Sequence, residues 1–182
     1  MLNNQICILV CPLNWGIGHA SRMIPLIHSL KKMNYRVLIA GSGKSLELLR
    51  ITFPDQQIID APHFSVVYSD KWPMSLTMAF QLPKIVCGII KDYIWLKKII
   101  PIYNINLVIS DNRYGLFNRK VISVLVSHQI YPFMPKSLKW AEPLAKFILG
   151  KFKKFIFKID INSFQITVTS IIKCYCKFTT PS

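Results

Sequence analysis

The stretch "CPLNWGIGHASRMIPLI", residues 11–27, decides how the chain is built. An apolar run, "ICILV" at residues 6–10, precedes it, and an amphipathic run follows. Together they read as strand, glycine loop and helix. Glycine after a strand lets the backbone turn tightly and approach a ligand closely. The helix start behind it offers free N–H groups and partial positive charge. The loop also carries His19 and Arg22. Three readings stand at this point: an anion cradle, a catalytic loop, or a turn that only needs glycine.

Working outward, residues 5–11 read as a buried strand. Residues 20–33 read as a helix, with Met23, Leu26, Ile27 and Leu30 on one face and Lys31 and Lys32 complementing the dipole in its last turn. "YRVLIA" at 35–40 is a second strand, "GSGK" a turn, 45–53 a helix stopped by Pro54, and 58–60 the start of a third strand. This alternation with short loops predicts an α/β fold: a Rossmann-like, doubly wound parallel sheet flanked by helices. Residues 61–82 read as a loop with a short helix. Pro83 opens a helix over 84–100, and "NLVIS" (106–110) and "VISVLVS" (121–127) are two further buried strands. Residues 138–159 step in threes and fours and predict one basic amphipathic helix, with Pro143 in its first turn.

Ligands of open α/β sheets bind beyond the carboxyl ends of the strands. Three such ends are polar here: the segment from Asn14 through Gly16 and Gly18 to Arg22, the cluster Asp111, Asn112 and Arg113, and the pair His128 and Gln129. A dinucleotide fingerprint would need a third glycine where Ser21 stands, and an acidic residue near Ala40 and Gly41. "GSGKS" at 41–45 would need a glycine at Leu38 to be a phosphate loop. Both patterns fail, although Ser42 and Ser45 stay near the ligand end. The pairing of His19 with Asp111 survives: an aspartate accepting from one ring nitrogen fixes the tautomer and leaves the other as a base.

Composition narrows the partners. With 23 Lys and Arg against 8 Asp and Glu, the formal charge of +15 attracts polyanions, nucleic acid or an anionic membrane face. No nucleic-acid module pattern occurs, so nucleic acid is not an expected partner. The lysine-rich segment 136–158, with its interleaved aromatics, suits anionic lipid. No apolar run reaches the roughly 18 residues of a spanning helix, and the N-terminus lacks the marks of a signal peptide. Cysteines at 7, 11, 87, 174 and 176 are odd in number and irregularly spaced, reading as reduced thiols of a cytoplasmic protein. No carboxylate or histidine cluster has metal spacing, so neither metal nor cofactor is expected.

Residues 8–49, with "ISDNRYG" (109–115) and "SHQ" (127–129), resemble the N-terminal, acceptor-side half of GT-B glycosyltransferases, above all the family 28 group of lipid-II N-acetylglucosaminyltransferases and diacylglycerol glycosyltransferases. The resemblance covers about residues 5–158 and sets a domain at 1–158. It implies metal-independent, inverting transfer of a sugar from a nucleotide sugar, a UDP-sugar, to a lipid-linked acceptor at the cytoplasmic leaflet. Gly16 and Gly18 match the family's loop glycines. His19 matches its acceptor-activating histidine, and Asp111 the aspartate that orients it. His128 and Gln129 fall near a stretch that touches acceptor. GT-B enzymes hold the donor mainly in a second domain of similar size. The expectation is therefore a half that needs a separate subunit or a longer form, with residues 159–182 an atypical tail of truncation or frameshift.

Overall fold

Apolar runs become strands, and the strands lie parallel. The computed structural model describes residues 5–14, 16–63, 74–127, 142–152 and 154–157. In chain order the elements are β1 (Cys7–Pro12), α1 (Ile17–Lys32), β2 (Arg36–Gly41), α2 (Gly43–Thr52), β3 (Gln57–Asp60), α3 (Met74–Tyr103), β4 (Ile105–Asp111), β5 (Ile122–Ser127), α4 (Glu142–Leu149) and β6 (Lys154–Phe157). Six strands form one sheet in the order β3-β2-β1-β4-β5-β6, every pair parallel. This is the doubly wound order, which reverses direction between β1 and β4.

Strand side chains alternate between two buried faces. Ile8, Val10, Ile39, Ile109 and Val126 pack with Met23, Leu26 and Ile27 of α1 and Leu49 and Phe53 beside α2. Leu9, Cys11, Leu38 and Val108 face the other way, against Leu96 and Ile99 of α3 and Leu116. Burial on both faces explains why the strands read as unbroken apolar runs. It also directs the carboxyl ends of β1, β2 and β4 to one edge, where the polar residues gather.

Two expectations give way. Helix α3 begins at Met74 and carries Pro83 inside it. A proline removes one backbone donor and need not end a helix whose other turns are intact. The segment 138–159 is not one helix: α4 ends at Leu149, Gly150 follows, and "KFIF" forms edge strand β6 along β5. Gly150 closes the helix through its N–H to Lys146 O (2.9 Å), and the aromatic and β-branched residues beyond it fit a pleated edge. Among the described residues, no helix is long and apolar enough to cross a membrane.

Candidate functional site

The loop after β1 is shaped by its neighbour after β2. Gly16, the residue before α1, has φ +116°, a conformation L side chains rarely adopt, and no side-chain hydrogen bond caps the helix. Ser45, fully buried at the start of α2, donates its hydroxyl to Gly16 O at 2.9 Å and lies 3.3 Å from Leu13 O. Gly43 has φ +56°, and a Cβ there would sit 2.8 Å from the Asn14 amide. The "GSGKS" segment thus clamps the first loop, and Ser45 is turned away from any ligand. A Cβ on Gly18, by contrast, would meet open space.

His19 sits in the first turn of α1, and Asp111 ends β4. Helix and strand are neighbours through β1, so residues far apart in sequence meet: His19 Nδ1 lies 2.8 Å from Asp111 Oδ2. The Asp111 carboxylate is wholly buried and the His19 ring 15% exposed, so the imidazole is the solvent-facing end of the pair. Arg22, one turn further along α1, joins them. Its Nε donates to Gly18 O (3.2 Å) and lies 3.4 Å from Asp111 Oδ2, while Nη2 lies 3.2 Å from His19 Nδ1. Arg22 Nη1 and Asp111 Oδ1 are buried with no hydrogen-bond partner among the described residues.

Each residue of "DNRYG" has a distinct task. Asn112 turns the chain with φ +52°, and its N–H donates to Val126 O at 2.9 Å. Arg113, expected to touch substrate, points into the protein instead. Its guanidinium is 2% exposed and grips Asp92 of α3 through Nε (3.1 Å) and Nη2, with Nη2 also donating to Pro62 O and Nη1 lying 3.4 Å from Cys11 Sγ. With those donors engaged, Arg113 ties α3 to the sheet edge. Burial pushes the Asp92 carboxyl above its ordinary value, against the pull of Arg113. Burial likewise pushes the Cys11 thiol up to about 11, which makes it an inert packing group. The Tyr114 hydroxyl bonds Ser127 at the end of β5, and burial raises its pKa. Gly115 lies so close to α3 that a Cβ would sit 2.2 Å from Ile89 O.

The fold therefore gathers Gly16, Gly18, His19, Arg22, Asp111 and Asn112 at one edge. Asn14 belongs to an adjoining cluster, its Nδ2 2.9 Å from His63 Nδ1, which is 3.3 Å from Ser42 Oγ. His63 escaped the sequence reading; its signal was its place just beyond the end of β3. Tyr114 also escaped it, because an aromatic in a loop reads as packing. His128 and Gln129 lie outside the described residues. Among the described residues no three His, Cys, Asp or Glu side chains group as metal ligands.

No family model matches the chain, and no curated protein matches it. Solved structures do. The glycosyltransferase SsfS6 of Streptomyces sp. SF2575 matches with a TM-score of 0.55 at 14% identity, over 81% of this chain and 48% of its own. The glycotransferase of kitacinnamycin matches with a TM-score of 0.53 at 16% identity, over 79% of this chain and 35% of its own. MurG of Acinetobacter baumannii matches with a TM-score of 0.51 at 8% identity, over 85% of this chain and 41% of its own. The chain spans less than half the length of these structures. Its fold is the Rossmann-like α/β fold of one half of the GT-B glycosyltransferases.

Proposed function

We propose that this chain is the acceptor-side half of an inverting, metal-independent glycosyltransferase of the family 28 kind, with His19 as its base. The observation that carries the reading is the 2.8 Å contact between His19 Nδ1 and buried Asp111, made across 92 residues at the ligand end of the sheet. With a hydrogen on Nδ1 donated to Asp111, Nε2 holds a lone pair. Nε2 takes the proton of an acceptor hydroxyl as that oxygen attacks the anomeric carbon of the donor. The bond from that carbon to the phosphate oxygen breaks, the nucleoside diphosphate leaves with the electron pair, and the configuration inverts. The uncapped start of α1 and the space in front of Gly18 suit the approach of an anionic donor. A second α/β domain, in another chain or a longer form, completes the donor site, with a UDP-sugar as the proposed donor.

In the enzyme with its second domain, His19→Ala is expected to lower transfer by about 10²–10⁴-fold, the usual worth of a general base. Its circular-dichroism spectrum stays that of the parent. Transfer at the parental rate would remove His19 from the role.

The outer surface of α3 supports the reading of a lipid-linked acceptor. Val86, Ile90, Tyr93 and Ile94 are exposed there, with Lys84, Lys91, Lys97 and Lys98 exposed among them, and the one acidic residue of that stretch, Asp92, is buried. An apolar stripe set with lysines fits an anionic bilayer surface at the cytoplasmic leaflet. The same face favours a second reading, a membrane-surface module without catalysis. Vesicle binding with no turnover in the presence of the second domain would select it.

A further inference from the structure

Two groups, the Asp111 carboxylate and the Arg22 guanidinium, meet at one nitrogen of His19, and only one of the two bonds can exist there at a time. With hydrogen on Nδ1, the ring donates to Asp111 Oδ2 at 2.8 Å and keeps its lone pair on Nε2. Without it, Nδ1 accepts from Arg22 Nη2 at 3.2 Å, and Nε2 carries the hydrogen. The first tautomer has a base facing outward; the second has none. We propose that Arg22 is a positioning residue for His19: its guanidinium competes with Asp111 for Nδ1 and so sets which ring nitrogen is free to take a proton. This inference rests on the reading of His19 as the base.

A second arginine in the same molecule shows what a purely structural pair looks like. Arg113 meets Asp92 as a closed fork, with Nε and Nη2 on the two carboxylate oxygens. Arg22 does not close on Asp111. Its Nε lies 3.4 Å from Oδ2, its Nη2 turns to the imidazole, and Nη1 and Asp111 Oδ1 are left buried without hydrogen-bond partners among the described residues. The imidazole occupies the place of the second tooth of the fork. The hydrogen bond from Nε to Gly18 O holds the guanidinium beside the ring, so the rivalry is built into the first turn of α1. Asp111 draws the ring proton to Nδ1, Arg22 offers a hydrogen to the same atom, and the ring divides between the tautomers.

The test is the ¹⁵N spectrum of the His19 ring in the full chain, labelled at histidine, at a pH where the ring is neutral. His19→Gln assigns the signals. Arg22→Met is expected to move the ring toward the form with hydrogen on Nδ1, and Arg22→Lys, which keeps the charge and loses the planar fork, to move it the same way by less. Asp111→Asn is expected to move it in the opposite direction. Wild-type ring shifts in Arg22→Met would overturn the proposal. Should that variant fail to fold, Arg22→Lys carries the comparison, and unchanged shifts there overturn it equally. The spectrum reads the competition without any sugar transfer. An unchanged spectrum therefore removes Arg22 from the role and leaves the base to be judged by the His19→Ala assay.

Discussion

A single left-handed residue decides what the site contains. Asn112, at φ +52°, follows Asp111 and changes the direction of the chain. The next side chain, Arg113, then enters the protein, and Gly115 comes to rest on the backbone of α3. Gly115→Ala would force its methyl against Ile89 O at 2.2 Å and Asp92 Cβ at 2.6 Å. Backbone cannot swing aside as a side chain can, so a loss of about 3 kcal/mol is expected in urea denaturation, at the upper end for overpacking. Gly18→Ala is the matched control: its methyl meets open space within a helix, and stability is expected to stay level or rise by about 0.5–1 kcal/mol. The sequence made His19 and Asp111 legible because both sit where a strand end meets the sheet edge. It hid the inward path of Arg113, because one backbone torsion, which no spacing rule encodes, chooses between ligand and core.

At the scale of elements, the strands were legible and some helix limits were not. Strands buried on both faces leave continuous apolar runs, and β1, β2, β4 and β5 follow them closely. The expected helix over 84–100 starts ten residues late against α3, because Pro83 resembles a start signal. The segment 138–159 was read as one helix because a stripe stepping by threes and fours also contains "KFIF", which pairs with β5. The sequence reading does not single out the outer face of α3 as a surface; Ile90 is 51% and Ile94 49% exposed there. Replacing both with aspartate should leave the fold intact and lower binding to phosphatidylglycerol vesicles by at least about tenfold, since apolar insertion is lost and repulsion added. Co-sedimentation measures this, and equal binding by the variant would show that another face meets the lipid.

Across the whole molecule, one buried ion pair joins parts distant in sequence. Arg113 bonds Asp92 on α3, the carbonyl of Pro62 beyond β3, and Cys11 at the end of β1. Arg113→Met alone strands the Asp92 carboxylate and is expected to cost about 3–5 kcal/mol; Asp92→Leu with Arg113→Met should recover most of that loss. Chemical denaturation of the two single variants and the double variant measures the coupling. The topology has a further consequence for how the chain is made. Strand β1 is central, pairing with β2 on one side (Cys7 with Arg36) and with β4 on the other (Cys7 with Ile105). As the chain leaves the ribosome, the first β1–α1–β2 unit can form early, yet the second edge of β1 stays unpaired until β4 has emerged. That open edge is a hazard for association with other nascent chains. Closing it is the long-range, slow event of folding, and the same event brings Asp111 to His19. The dyad thus forms only once β4 has joined β1, and its ring signal doubles as a reporter of that pairing.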